Sequence, residues 1–214
     1  MNHGIIFDLD GTLWDSSEQV AVSWSMALAS RPETDRQVTG EDMRSYMGKT
    51  LETIAELMLP EIEPALRMEI MRDCERVEQD YLIEHGGTLF PNLEKELERL
   101  SKSFSLFIVS NCQSGYIETF LEYHKLGKYF TDFECPGGTG LAKADNIRII
   151  VERNNLDRAV YVGDIQGDLD ASDSAGVPFI HAAYGFGTVN RDVPAVKSFS
   201  EVFEAAERIL GSTR

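Results

Sequence analysis

The sequence predicts an α/β fold: a doubly wound parallel sheet under helices, with an all-helical bundle inserted after the first strand. Three observations predict it. Short, continuous apolar runs recur and each ends in small or acidic residues. Amphipathic helical patterns lie between them, the alternation expected of a parallel sheet covered on both faces. One long early stretch holds helical patterns and no strand.

The first run, Gly4-Ile5-Ile6-Phe7, leads into Asp8-Leu9-Asp10-Gly11-Thr12. Leu106-Phe107-Ile108-Val109 leads into Ser110-Asn111, and Val160-Tyr161-Val162 into Gly163-Asp164; Val177-Pro178-Phe179-Ile180 is a weaker copy. The helices between them carry Leu93, Leu97 and Leu100; Ile117, Phe120 and Leu121; and Ile147, Ile150 and Val151, all at helical spacing. From Ser16 to His85 the patterns are helical throughout. Asp15-Ser16-Ser17-Glu18 reads as a capping box with an acid at its head. Val20, Trp24 and Ala27 follow at helical spacing, and Ile62, Leu66, Ile70, Cys74, Val77 and Tyr81 mark one long helix that Gly86-Gly87 ends. The expected organisation is therefore a core of residues 1–15 and 86–214, with a helical cap at 16–85 hinged near Asp15 and Gly86-Gly87.

In an open α/β sheet, ligands bind outside the carboxyl ends of the strands. The polar residues there are Asp8, Asp10, Thr12, Ser110, Asn111, Gly163, Asp164 and Asp168. Clustered carboxylates repel one another and are expensive to bury unpaired. A hard divalent cation such as Mg²⁺ resolves this, since it prefers oxygen ligands and keeps positions open for water and substrate. Any one of these aspartates alone reads as a helix-capping turn residue. The joint pattern of Asp8-x-Asp10-Gly11-Thr12 and Gly163-Asp164-x-x-x-Asp168 points to a metal site.

These motifs resemble the haloacid-dehalogenase superfamily of phosphotransferases. Asp8-Leu9-Asp10-Gly11-Thr12, Ser110-Asn111, Lys143 and Gly163-Asp164-Ile165-Gln166-Gly167-Asp168 occur in that family's order, and the helical insertion sits where the family places its first type of cap. The stretches Asp10 to Ser16 and Gly163 to Gly176 are most similar to phosphoglycolate-phosphatase-like members. The resemblance implies a Rossmann-like core and hydrolysis of a small phosphomonoester, with phosphoglycolate the first substrate to consider. It implies Asp8 as nucleophile, Asp10 as general acid and then base, and Lys143 as the cation that neutralises the transferring group. Ser110 and Asn111 would bind the phosphoryl group, and Thr12 would hold the turn beside it. Mg²⁺ would be held by Asp8, the Asp10 carbonyl and Asp164, with Asp168 directly on the metal or one shell out. Lys49, beside Tyr46-Met47-Gly48 in the cap, falls where the family places its specificity loop. It would grip a substrate anion or, equally, only neutralise its helix end.

Asp10 argues for phosphate esters, because dehalogenating members and ion pumps typically lack an acid two residues after the nucleophile. A sugar phosphomutase resembles this chain but carries a His where Val20 stands, and a phosphonate-cleaving relative carries a Lys where Leu51 stands. A non-catalytic binding module on the same fold is opposed by the intact Asp8, Asp10, Lys143 and Asp164. Gly48-Lys49-Thr50 is not a phosphate-binding loop, because Met43 occupies its first glycine position and a helix precedes it. The four histidines lack paired helical spacing, Gly185-Phe186-Gly187 reads as a turn, Cys112 as small buried filler, and Trp24, Met26 and Met43 as cap core, a few of them able to face substrate.

The 214 residues carry 36 acids and 20 bases, a formal charge of −16. Such a surface repels nucleic acid and anionic membranes, so the expected partner is a small phosphorylated metabolite admitted by local positive charge. No apolar run is long enough to span a bilayer; Met1-Asn2-His3 carries no basic stretch, and Gly4-Ile5-Ile6-Phe7, running straight into acids, reads as a strand rather than a signal peptide. Three widely spaced cysteines suggest neither a disulfide framework nor a zinc site. The expected setting is cytoplasmic, as a monomer or small homo-oligomer.

Overall fold

The structure is a computed structural model that describes residues 2–211. Its strands are β1 (His3–Phe7), β2 (Trp14–Asp15), β3 (Thr88–Leu89), β4 (Ser105–Val109), β5 (Phe130–Glu134), β6 (Arg158–Gly163), β7 (Phe179–Ala182) and β8 (Ala195–Val196). Its helices are α1 (Ser17–Ala29), α2 (Gly40–Tyr46), α3 (Leu51–Met58), α4 (Pro64–His85), α5 (Leu93–Ser101), α6 (Tyr116–Tyr123), α7 (Pro136–Thr139), α8 (Lys143–Arg153), α9 (Gln166–Ala175) and α10 (Val202–Leu210). Six strands form one sheet in the order β5-β4-β1-β6-β7-β8, every pair parallel.

The sheet's period of two explains its unbroken apolar strands. Ile5, Phe7, Leu106, Ile108, Val160 and Val162 face one layer, which includes Leu93 and Leu97 of α5 and Val202 and Ala206 of α10. Ile6, Phe107, Val109 and Tyr161 face the other, with Ile147 and Ile150 of α8 and Leu169 of α9. Neither face meets water, so there is no polar alternation. The chain runs outward from β1 to β4 and β5, then crosses back to β6 on the other side of β1. That reversal beside β1 opens a crevice at the carboxyl ends of β1, β4 and β6.

The inserted helices are α1 to α4, with α1 packed along α4. The two chain crossings run side by side: Trp14 pairs with Leu89 and Asp15 with Thr88, antiparallel. Helix α4 starts with Pro64 in its first turn and stops at Gly86, close to the predicted end. The start of α1 differs from the capping-box expectation. Asp15 lies outside the helix and accepts from the Ser17 backbone N–H at 2.9 Å, while Glu18 pairs with Arg44 at 2.9 Å. Strand β5 had no sequence signal: Phe-Thr-Asp-Phe-Glu lies at the sheet edge, where Asp132 and Glu134 turn outward to Arg153. Strand β7 begins after Pro178, which supplies no ladder N–H.

Candidate active site

Asp8 follows β1, Ser110 and Asn111 follow β4, and Asp164 follows β6, three adjacent strands. Lys143 opens α8 and Asp168 lies in the first turn of α9. Lys143 is 5% exposed, and its Nζ donates to Asp8 Oδ1 at 2.8 Å and to Asp168 Oδ1 at 2.7 Å. A cation at a helix N-terminus opposes the dipole, so those two carboxylates must hold it there. Burial would lower the Lys143 pKa, but Asp168 and Asp8 outweigh it and raise it well above the ordinary lysine value. Burial pushes Asp8 up to about 7, aided by Asp168 and opposed by Lys143. Asp164 rises to about 8 for the same first reason, with Asp168 and Asp8 adding to it. At neutral pH this cluster is short of positive charge.

Asp8, Asp164 and Asp168 each offer an oxygen within 4.8 Å of the others. Asp164 Oδ2 accepts from the Phe186 N–H at 2.7 Å, but its Oδ1 is buried with no hydrogen-bond partner. An orphaned, buried carboxylate oxygen beside two further aspartates fits a hard divalent cation. Asp168 is already engaged on both oxygens, since its Oδ2 accepts from the Asp164 N–H at 3.0 Å and the Ile165 N–H at 3.2 Å. It supports Lys143 and the turn that carries Asp164. Gly11 lies against this site at φ +80°, and a Cβ there would sit 2.2 Å from Asp164 Oδ2.

Asp10 leaves the cluster and faces the helical unit. Its Oδ1 accepts from Trp14 Nε1 at 2.9 Å, Ser16 Oγ at 2.7 Å and the Tyr116 hydroxyl at 3.0 Å. Burial raises its pKa, and the three donors pull it back. The result is a fixed carboxyl that holds a proton more readily than a free one.

A cavity of about 490 Å³ lies between the sheet's carboxyl edge and the helical unit. Asp8, Asp10, Ser110 and Asn111 line its core side, and Trp24, Met43, Tyr46 and Lys49 are among its lining residues from the helical side. Asn111 Nδ2 donates to the Gly48 carbonyl at 3.2 Å, tying the core to the loop after α2. Two expected site residues are placed differently. Thr12 is fully buried with its hydroxyl unpartnered, and it is not among the lining residues. Lys49 lines the cavity, yet its Nζ donates to the Ser45 carbonyl at 2.5 Å, at the end of its own helix. Cys112, expected as buried filler, is half-buried and lines the cavity; Met26, expected in the cap core, is 54% exposed. Four residues at the site were not singled out by sequence: Glu78, Gln113, Tyr116 and, as a donor to Asp10, Trp14. Only Glu78 left a signal, because it breaks an otherwise apolar helical stripe.

Residues 5–182 match the family model for haloacid dehalogenase-like hydrolases. A phosphoglycolate phosphatase from Vibrio parahaemolyticus is 26% identical over 193 residues, covering 85% of this chain and 84% of that protein. A haloacid dehalogenase-like family hydrolase from Streptococcus pneumoniae superposes with a TM-score of 0.78 at 23% identity, covering 95% of this chain and 98% of that one. A CbbY mutant from Rhodobacter sphaeroides, solved with xylulose-1,5-bisphosphate, superposes with a TM-score of 0.76 at 18% identity, covering 94% of this chain and 96% of that one.

Proposed function

The chain belongs to the haloacid dehalogenase-like hydrolases, and from that membership we propose that it is a Mg²⁺-dependent phosphatase of a small phosphomonoester. The observation that carries the reading is the pairing of Asp8 and Asp10: one carboxylate lies in a cation-poor cluster with Lys143, the other is fixed by three donors two residues away.

An Asp8 oxygen attacks phosphorus and the bond to the alcohol oxygen breaks, giving an aspartyl-phosphate. Asp10 gives its proton to the departing alcohol. A water then attacks phosphorus, Asp10 takes the water's proton, and Asp8 is released with inorganic phosphate. Lys143, with Ser110 and the Asn111 backbone N–H, offsets charge on the transferring group. Asp8 and Asp164, with the Asp10 carbonyl, would hold the Mg²⁺. The ion would neutralise phosphoryl and carboxylate charge when bound. Residues 16–85 act as a lid, hinged at the paired strands β2 and β3, that excludes water from the site.

The relatives' activity makes phosphoglycolate a natural ester to include in any assay. The position of Lys49 favours its helix-end role over a grip on a second substrate anion. Among the described residues no helix is long and apolar enough to cross a membrane. Phosphate release from an aryl phosphate, with and without Mg²⁺ and in the Asp8→Asn variant, tests the mechanism. Full activity of that variant, or activity indifferent to chelation, would overturn it.

A further inference from the structure

Helix α4 buries Ile70, Cys74, Glu78 and Leu82, four residues spaced four apart. Three are apolar and one is an acid that is 4% exposed. Glu78 accepts from Trp24 Nε1 on one oxygen and from Gln113 Nε2 at 2.8 Å on the other. Both donors are neutral, and no described Lys, Arg or His forms an ion pair with it. A buried carboxyl with no cation beside it holds its proton, and an ammonium or hydroxyl brought against it draws out the ionised, accepting form. Glu78 lines the same cavity as Asp8 and Asp10.

The rest of that chamber narrows what the occupant is. Its walls on the helical side include Val20, Met43, Leu51 and Ile54, and its other acids and bases there are Glu52, Glu75 and Lys49, with Tyr46 beside them. Lys49 is exposed, and its Nζ donates to the Ser45 carbonyl of α2 rather than to any of these acids. The phosphoryl group is served by Lys143 and the metal site, but a second anion on the leaving group would meet glutamates and hydrocarbon.

We propose that Glu78, held by Trp24 and Gln113, is the specificity-determining residue for the leaving alcohol, and that the preferred esters carry an amino or hydroxyl group on a short hydrocarbon body rather than a carboxylate or second phosphate. The proposal rests on the phosphatase reading above. Each Glu78 oxygen accepts one hydrogen bond and keeps a second lone pair, which a donor on the substrate fills and an anion is repelled by.

The test uses the full chain with Mg²⁺ and four matched two-carbon esters: aminoethyl phosphate, hydroxyethyl phosphate, ethyl phosphate and phosphoglycolate. The expected kcat/KM for the amino and hydroxyl esters exceeds that for phosphoglycolate by at least about tenfold. In Glu78→Gln the aminoethyl-to-phosphoglycolate ratio falls at least about tenfold, and Glu78→Lys inverts it. Thermal melts verify that both variants are folded. Binding is read separately by tryptophan fluorescence in the Asp8→Asn protein, where the donor-bearing esters saturate at lower concentration. Phosphate release that favours phosphoglycolate, or a ratio unmoved by Glu78→Gln in a folded protein, sinks this proposal and leaves the phosphatase reading standing. Release from none of the esters, nor from an aryl phosphate, sinks that reading instead. The fluorescence titration then decides the present one: tighter binding of the donor-bearing esters supports it, and equal, reversed or absent binding overturns it.

Discussion

Lys143 Nζ lies 2.8 Å from Asp8 Oδ1, with both side chains 5% exposed. The same ammonium lies 2.7 Å from Asp168 Oδ1, so one buried cation holds two carboxylates. Removing it leaves uncompensated charge, the costly way to break a buried pair. Lys143→Met is therefore expected to lower stability by about 3–5 kcal/mol in chemical denaturation. It should also slow phosphate release by at least ~100-fold, as loss of a preorganised charge on the transferring group does. Because burial of the cluster drives both effects, saturating Mg²⁺ should restore part of the stability and little of the rate. A variant as stable and active as the parent would remove Lys143 from the site.

On the proposed function, the same cluster makes Mg²⁺ binding a proton-linked event. Burial raises Asp8 to about 7 and Asp164 to about 8, so at neutral pH the metal-free protein holds protons there that a divalent cation displaces. Mg²⁺ affinity should rise as pH increases through about 7 to about 8. Calorimetric titration in two buffers of different ionisation enthalpy should reveal proton release. Asp164→Asn should weaken binding, since it removes the unpartnered buried oxygen. Mg²⁺ at ~100 times its dissociation constant should stabilise the fold by about 2.7 kcal/mol. Binding with no proton release at neutral pH would contradict the assignment.

Much of this site was legible before the structure, for a physical reason. Strand-end residues are separated by long stretches of chain but brought together by the parallel sheet, so Asp8, Ser110 and Asp164 could be grouped from the runs that precede them. The central strands were equally clear, because burial on both faces leaves a continuous apolar run. Edge strand β5 was invisible, since Asp132 and Glu134, half-buried and paired with Arg153, interrupt the apolar run. Tyr116 and Gln113 were also out of reach. They act through helix packing and a loop, at 106 and 35 residues from the acids they touch, and no motif encodes such a contact. Thr12 was named from its place in the motif; it is fully buried and does not line the cavity.

The closed arrangement over the cavity depends on Gly48, whose carbonyl accepts from Asn111 Nδ2. Gly48 sits at φ +76°, and a Cβ there would lie 2.2 Å from Ile165 Cδ1. Gly48→Ala adds the left-handed backbone penalty, about 1–2 kcal/mol, and this contact. The expected result is a fall of about tenfold in kcat/KM with a small change in melting temperature, since the loop can lift from the core at little cost to either packed layer. Ile165→Ala should recover part of the loss in the double variant, which a double-mutant cycle measures. Strict additivity of the two changes would show that Gly48 does not work through Ile165.

Glu78 predicts a pH signature in stability that is separate from catalysis. Burial pushes it up to about 8 from 4.5, with nearby Asp10 and Glu75 adding to the rise and Gln113 and Trp24 opposing it. Between pH 4.5 and about 8 the folded chain keeps a proton on Glu78 that the unfolded chain has lost. Its contribution is therefore fully present below pH 4.5 and disappears as pH rises through about 8. Asp8 and Asp164 shift stability in the same direction, so the parent's melting temperature alone does not isolate Glu78. Glu78→Gln does, because the amide stays neutral throughout. In metal-free protein the fall in melting temperature across this window should be shallower for Glu78→Gln than for the parent, and the two curves should converge or cross at the alkaline end. Parallel curves would mean that Glu78 loses its proton at the same pH in the folded and unfolded chain, and that the wall of the chamber it forms is ionised in the resting protein.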